Sequence, residues 1–96
     1  MTKASIIIPC FNASTWIDRV VQSCLDQGNS LGEIVLVEDH STDDTPAKLH
    51  QWAVSHSEVV RLFTNPSKGG NSARNFGFAQ AKYPYIQWLD ADDFLL

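Results

Sequence analysis

The sequence has little of the positive charge that non-specific binding to nucleic acid or to an anionic membrane surface requires. Seven Lys and Arg residues stand against eleven Asp and Glu residues, and the formal net charge at pH 7 is -4. Proteins that bind phosphate backbones through charge carry basic patches. The chain also lacks any apolar run that approaches the roughly 20 residues of a membrane-spanning helix. We therefore expect neither a nucleic-acid partner nor a transmembrane segment in this chain.

Cysteines are few, and the chain shows no repeats, low-complexity tracts or linkers. The two cysteines, Cys10 and Cys24, form no Cys-x-x-Cys pattern and lie near no metal-type histidine spacing. Such thiols are more often free than bridged in a chain without an export signal. The apolar stretch at residues 5–9 is too short for the core of a signal peptide, and no cleavage-like site follows it. These features predict one small cytoplasmic domain without a zinc or redox site.

The chain does contain an alternation of strand and helix patterns. The β-branched run Ile6-Ile7-Ile8, closed by Pro9, is typical of a strand buried on both faces. Apolar residues at helical spacing then predict an amphipathic helix from Trp16 to Leu25, with Ser14 as its N-cap. Further strands are predicted at residues 33–38, 59–63 and 85–89. Two more helices are predicted to begin at residues 42–43 and 71–72.

This order predicts an α/β fold of the Rossmann-like kind. About four parallel strands, joined by three helices through right-handed crossovers, would form three layers. In such sheets, ligands bind beyond the carboxyl ends of the strands. Four loops should therefore share one edge of the sheet, at residues 9–12, 38–41, 65–70 and 90–93.

The acidic segment Asp90-Ala91-Asp92-Asp93 is a candidate metal site. An isolated Asp-x-Asp is more typical of a solvated turn or a helix N-cap. Here it follows a strongly apolar strand, at the edge where α/β ligands bind. Mg²⁺ and Mn²⁺ prefer oxygen ligands and commonly bind one or two carboxylates together with substrate phosphates. The position therefore favours a divalent cation.

Two further loops suggest a nucleotide ligand. Asp39, at the end of the second strand, can accept a hydrogen bond from a ribose hydroxyl or a base N–H, although its neighbours also fit an Asx-turn. Gly69 and Gly70 precede a helix, as in phosphate cradles, but show neither P-loop nor dinucleotide spacing. Lys68 and Arg74 add cationic donors, and a structural ion pair remains an equal alternative for Arg74.

Other candidates fit structural roles better. His40 lies among turn-forming residues and is interpreted as a turn residue. The three tryptophans, Trp16, Trp52 and Trp88, are interpreted as packing residues rather than ligand contacts. No Ser-His-Asp order and no nucleophile elbow occurs in the sequence.

Five segments together resemble the beginning of an inverting family 2 glycosyltransferase of the GT-A fold. Each alone is modest evidence, but they follow the family's order and spacing: residues 5–12, 23–27, 33–43, 70–77 and 85–93. The chain departs from the family pattern at Glu38, where Asp is usual, and at His40, where Gly or Asn is usual. Both departures leave Asp39 in place.

The resemblance implies a role for each matching residue. Pro9, Phe11 and Asn12 would line the nucleotide pocket, with uracil as the expected base, and Asp39 would hydrogen-bond that base. Gly70 and Arg74 would contact the nucleotide, and Asp90 would contact its ribose or a metal-bound water. Asp92 would ligate the Mg²⁺ or Mn²⁺ that bridges the diphosphate. The implied partner is a nucleotide-sugar donor, UDP-sugar above all.

The resemblance also implies that the family's domain is much longer than this chain. Residues 1–96 would be its truncated N-terminal, donor-binding part, with the acceptor site and the general base beyond residue 96. The parent enzyme would transfer a sugar to an acceptor hydroxyl with inversion, in cell-wall or polysaccharide synthesis. The chain itself would then contain no catalytic residue. An exposed sheet edge would allow a homodimer.

One alternative stays open at this point, and two others lack residues that they would need. The chain fits an inactive nucleotide-binding module, because no general base is present. A nucleotidyltransferase would need a glycine-rich loop with a basic residue after the first strand, and residues 10–13 supply neither. A response-regulator receiver would need an acidic pair after that strand, which is absent there.

Overall fold

A computed structural model describes residues 3–89 of the chain and shows one parallel four-stranded sheet in the order β3-β2-β1-β4. Three α-helices and one short 3₁₀ helix connect the strands. In chain order the elements are β1 (Ala4–Cys10), α1 (Ile17–Leu25), the 3₁₀ helix (Gly28–Ser30), β2 (Leu31–Glu38), α2 (Thr45–Ser55), β3 (Val60–Thr64), α3 (Gly70–Gln80) and β4 (Tyr85–Trp88). The predicted α/β class is confirmed. The predicted metal site at Asp90, Asp92 and Asp93 lies outside the described residues.

The two central strands are buried on both faces, which explains their unbroken apolar runs. On one face, Ile6 and Ile8 join a large core with the apolar stripes of α1 and α2. On the other face, Ile7 packs with Val35, Val37 and α3. The three predicted layers are therefore present. None of the helices within residues 3–89 is long and apolar enough to cross a membrane.

Helix α3 approaches the sheet so closely that one position requires glycine. A Cβ atom on Gly77 would lie 2.5 Å from Cγ2 of Ile7 and 3.1 Å from Cγ2 of Val37. Real Cβ atoms do not tolerate the shorter of these distances. The missing side chain thus brings the helix axis, and the loop that precedes it, near the carboxyl ends of β1 and β2.

Several predicted boundaries differ from the structure: β2 begins at Leu31, α2 at Thr45 and α3 at Gly70, each one to three residues from its predicted start. Two further differences lie in and after β1. Strand β1 continues through Pro9 to Cys10. Pro9 faces the same side as Ile7, toward β4, and the last residue of β4 that pairs with β1 lies opposite Ile7. The missing N–H of Pro9 therefore removes no hydrogen bond between β1 and β2. Helix α1 begins at Ile17 with Trp16 as its N-cap, so the predicted N-cap Ser14 is wrong. Ser14 instead donates its backbone N–H to an Asp43 carboxylate oxygen at 3.4 Å.

The amino ends of the strands are joined through one buried carboxylate. Glu33 accepts hydrogen bonds from the Ser5 hydroxyl at 2.7 Å, Nη1 of Arg61 at 2.8 Å and the Lys82 backbone N–H at 2.6 Å. Burial alone raises the pKa of the Glu33 carboxyl. These hydrogen bonds and the charge of Arg61 outweigh burial and hold that pKa below its ordinary value. This network lies at the opposite edge of the sheet from the loops of functional interest.

The Glu33 network predicts a specific loss of stability in acid. Because the pKa is lower in the folded state, ionised Glu33 stabilises the fold above its unfolded pKa of about 4.3. That contribution disappears as the pH falls through the lower folded value. We expect Glu33→Gln to reduce the free energy of unfolding by about 1–3 kcal/mol at pH 7.

Chemical denaturation between pH 7 and pH 3 measures this effect. The difference between wild type and Glu33→Gln should shrink as the pH falls below about 4. Glu58→Gln, which alters an exposed carboxylate, is the matched control and should unfold like the wild type. A Glu33→Gln deficit of the same size at every pH would contradict the role given to the ionised carboxylate.

Candidate functional site

A cavity of about 610 Å³ opens at the carboxyl ends of β1 and β2, beside the first turn of α3. Three loops surround it because parallel strands end at the same edge of the sheet. The lining residues are Pro9, Cys10, Phe11, Asn12, Ala13, Trp16, Asp39, Lys68, Gly69, Gly70 and Arg74. The cavity therefore combines aromatic surfaces, one carboxylate and two cationic side chains.

Asn12 holds the loop after β1 against the loop after β2. Its backbone is in the left-handed region at φ 49°, a conformation that Asn tolerates better than most residues. The Asn12 side-chain oxygen accepts the Thr42 backbone N–H at 2.8 Å, and the Asn12 N–H donates to the Ser41 hydroxyl at 2.9 Å. The side chain predicted to bind nucleotide thus also fixes the shape of this wall.

Asp39, which follows β2, joins the end of β1 to the loop after β3. Its backbone N–H donates to the Cys10 carbonyl at 2.9 Å. Its carboxylate accepts the Gly69 N–H at 3.1 Å and the side-chain amide of Asn65 at 3.0 Å. Only 5% of the residue is exposed, yet it lines the cavity. Asp39 therefore presents a fixed acceptor at the cavity wall.

The third wall carries positive charge. Gly69 has φ 109°, which side chains rarely adopt, and it turns the chain directly into α3 at Gly70. The amino end of a helix has a partial positive charge and exposed backbone donors. Lys68 lies on this wall, and so does Arg74, whose Nη1 donates to the Asn71 side-chain oxygen at 3.3 Å. This side of the cavity suits an anion.

Two aromatic side chains supply the apolar surface. Phe11 is 54% exposed and Trp16 is 40% exposed, and both line the cavity. The interpretation of Trp16 as a packing residue is wrong, because this side chain is exposed at the cavity. Helix α1 and its buried stripe begin one residue later, at Ile17. Trp52, in contrast, does pack against the core, and its indole N–H donates to Asp18 at 2.8 Å.

The cavity wall contains a thiol, but the environment of that thiol argues against nucleophilic chemistry. Burial, with the nearby Glu38 carboxylate, raises the pKa of Cys10 far above its ordinary value. Burial also raises the pKa of Cys24 to about 12. Both cysteines are free and buried, so each remains a neutral thiol.

The structure brings together every predicted nucleotide-binding residue that it describes. Those residues all line the one cavity: Pro9, Phe11, Asn12, Asp39, Gly70 and Arg74. The remaining predicted contacts, Asp90 and Asp92, follow the last described residue. Within residues 3–89, no three His, Cys, Asp or Glu side chains come together as a metal site.

Sequence reasoning missed Asn65, which supports the site without lining it. The residue is only 1% exposed and bridges Asp39 and Ser72 through its side-chain amide, at 3.0 Å from each acceptor. The sequence around it, Asn65-Pro66-Ser67, indicates a loop. Nothing in a loop signal distinguishes an exposed turn residue from a buried bridge between two distant segments.

Comparison with known proteins supports the resemblance noted in the sequence. The family model "Glycosyl transferase family 2" matches residues 5–96. An uncharacterised glycosyltransferase of Haemophilus influenzae is 35% identical over 95 residues, which are 99% of this chain and 38% of that protein. A UDP-Glc:α-D-GlcNAc-diphosphoundecaprenol β-1,3-glucosyltransferase of Escherichia coli is 36% identical over 94 residues, 98% of this chain and 37% of that protein.

A solved structure shows the same architecture. The mannosyltransferase PcManGT of Pyrobaculum calidifontis, in complex with GDP-Man and Mn²⁺, superposes with a TM-score of 0.84 at 26% identity. The match covers 97% of this chain and 28% of that one. The chain thus spans well under half the length of these proteins. Family model, relatives and fold agree, and this chain belongs to glycosyl transferase family 2, with the GT-A fold.

Proposed function

We propose that this chain is the donor-binding part of an inverting, metal-assisted glycosyltransferase that uses a nucleoside diphosphate sugar, with UDP as the nucleotide. The observation that carries the proposal is the cavity at the carboxyl ends of β1 and β2. Its wall combines the exposed aromatic surfaces of Phe11 and Trp16, the fixed Asp39 carboxylate and the cations Lys68 and Arg74. These are the chemical groups that a base and a diphosphate require.

The Asp39 carboxylate favours bases with a ring N–H. An ionised carboxylate accepts hydrogen bonds and donates none. Uracil and guanine have a ring N–H that can donate to it, whereas the corresponding ring nitrogen of cytosine or adenine is an acceptor. The names of two similar proteins fit this rule, since one uses UDP-Glc and the other is bound to GDP-Man. We choose uracil because it is the base that the family resemblance implies.

The cationic wall supports transfer from a diphosphate. In a single displacement, the acceptor oxygen forms a bond to the anomeric carbon as the bond from that carbon to the diphosphate oxygen breaks. The diphosphate leaves with the bonding electrons, and the acceptor proton passes to a carboxylate base, which we expect beyond residue 96. Lys68, Arg74 and the amino end of α3 can stabilise the departing negative charge.

A divalent cation, Mg²⁺ or Mn²⁺, is the expected cofactor. Leu89, the last described residue, donates its N–H to the Ile7 carbonyl at 3.1 Å. Ile7 lies in β1, two residues before Pro9, which lines the cavity. Asp90 follows Leu89 in the sequence and Asp92 comes two residues later, and their carboxylates supply the hard oxygen donors that suit these cations. Asp92 would ligate the ion, and Asp90 would contact ribose or a metal-bound water. When bound, such an ion neutralises charge on the leaving diphosphate.

Two further expectations belong to this proposal. Cys10 and Cys24 are both free, which is consistent with a reducing compartment and supports a cytoplasmic location. Strands β3 and β4 are the outer strands of the described sheet, and an unpaired strand edge can mediate homodimerisation.

The first prediction from this proposed function concerns base selection by Asp39. Asp39→Asn keeps the size of the side chain but replaces one acceptor by a donor. We expect UDP affinity to fall by about tenfold or more, because a base N–H would lose its acceptor. Isothermal titration of the full-length protein with UDP and with CDP measures the change.

The matched control for this prediction is Asp26→Asn, the same change at an exposed carboxylate that lies outside the cavity. It should bind UDP like the wild type. UDP affinity that is equal in the wild type and in Asp39→Asn would refute the assignment of Asp39 as the base contact.

The second prediction concerns the metal. In the wild type, Mn²⁺ should strengthen UDP binding, because Asp92 would hold the ion and the ion would supply positive charge for the diphosphate. Asp92→Ala should abolish this Mn²⁺-dependent gain while leaving metal-free UDP binding nearly unchanged. The measurement is UDP titration with Mn²⁺ and with a chelator. Undiminished enhancement by Mn²⁺ in Asp92→Ala would remove Asp92 from the metal site.

Turnover distinguishes the enzyme from an inactive nucleotide-binding module. Full-length protein that releases UDP from a UDP-sugar in the presence of acceptor and Mn²⁺ acts as a transferase. Tight UDP binding without any release of UDP across a panel of acceptors would instead favour the module.

A further inference from the structure

His40 occupies a backbone conformation that residues other than glycine adopt uncommonly. It directly follows Asp39 and has φ 60°, in the left-handed region that glycine and asparagine occupy more readily. It is also one of the two positions where the chain departs from the family pattern. A strained conformation persists where surrounding contacts hold it, so the contacts of the His40 side chain identify what it does.

The imidazole ring of His40 binds the loop that follows β3. Nε2 lies 3.0 Å from the Asn65 carbonyl oxygen and 2.6 Å from the Ser67 carbonyl oxygen. Carbonyl oxygens only accept hydrogen bonds, so Nε2 carries the hydrogen and donates to both. One ring atom therefore holds two carbonyls, two residues apart, of the segment that leads to Lys68 and Gly69.

This loop in turn orients the Asp39 carboxylate. The Asn65 backbone N–H donates to the Glu38 carbonyl at 2.8 Å, and its side-chain amide donates to Oδ1 of Asp39 at 3.0 Å. The Asn65 side-chain oxygen accepts the Ser67 N–H at 3.2 Å. Both the amide nitrogen and the amide oxygen of the Asn65 side chain are therefore hydrogen-bonded. His40 holds the backbone from which Asn65 reaches Asp39.

We propose that His40 is a positioning residue for base selection. By holding the backbone of Asn65 and Ser67, it fixes the rotation of the Asp39 carboxylate and the position of the Gly69 N–H that binds it. The inference rests on the proposed nucleotide-binding function, because it assigns His40 an effect on which base Asp39 accepts. His40 does not line the cavity and acts only through its neighbours.

The test uses three substitutions in the full-length protein. His40→Gly removes the ring and relieves the strain at φ 60°, so the loss of hydrogen bonds is separated from a backbone penalty. His40→Gln keeps an N–H donor at similar reach. His50→Ala, on an exposed face of α2, is the histidine control. UDP and CDP dissociation constants are measured by isothermal titration, and melting temperatures by calorimetry.

We expect His40→Gly to lower the preference for UDP over CDP by about three- to tenfold, as the loss of one or two hydrogen bonds implies. Its melting temperature should stay near that of the wild type. His40→Gln should retain most of the preference, and His50→Ala should retain all of it. Base preference is the informative measurement, because a purely structural role would lower stability without changing the UDP-to-CDP ratio.

Two results would overturn different claims. An unchanged UDP-to-CDP ratio in His40→Gly, with the wild type binding UDP, would refute the positioning role and leave the proposed function intact. A wild type that binds neither nucleotide, with or without Mn²⁺, would refute the proposed function and the inference with it.

Discussion

The structure depends on two adjacent parallel strands that are buried on both faces. Strands β1 and β2 pair from Ala4 with Leu31 to Cys10 with Glu38, with one register shift between Ala4 and Ser5. Helices cover both sides of this pair, so polar side chains are largely restricted to the strand ends. Because the strands are parallel, their carboxyl ends meet at one edge, and each following loop starts from a rigid position there.

The two edges of the sheet use buried carboxylates differently. At the amino edge, Glu33 is paired with Arg61 and two further donors, which makes it a structural joint. At the carboxyl edge, Asp39 is bound by neutral donors from Gly69 and Asn65 and still lines a cavity. The charge of the Glu33 carboxylate is balanced within the protein by Arg61. Asp39 has only neutral protein partners among these contacts, which suits it to a further donor from a ligand.

Much of the fold was predictable from the sequence because apolar patterning and loop chemistry agree. The unbroken run at Ile6 to Ile8 and the helical spacing after Trp16 both follow from burial against a sheet. Strand ends then place the loops at one edge, so the joint position of Phe11, Asp39 and Gly70 follows from topology. The family resemblance supplied their roles, which patterning alone did not.

Other features were not predictable, because they depend on contacts between segments that are distant in the sequence. The Asn12 side chain binds Thr42, and His40 binds the carbonyls of Asn65 and Ser67. Locally, all of these residues are typical of turns. Trp16 was misjudged for a related reason: helical spacing places it on the apolar stripe, but the helix begins one residue later.

The central claim is that a nucleotide occupies the cavity between Phe11, Trp16 and Asp39. Fluorine NMR of the full-length protein with 5-fluorotryptophan tests it directly, since Trp16 lines the cavity while Trp52 lies between α1 and α2, bound to Asp18. Addition of UDP with Mg²⁺ should shift the Trp16 resonance and leave that of Trp52 in place. Saturating UDP that leaves the Trp16 resonance unmoved would contradict the assignment of this cavity as the donor site.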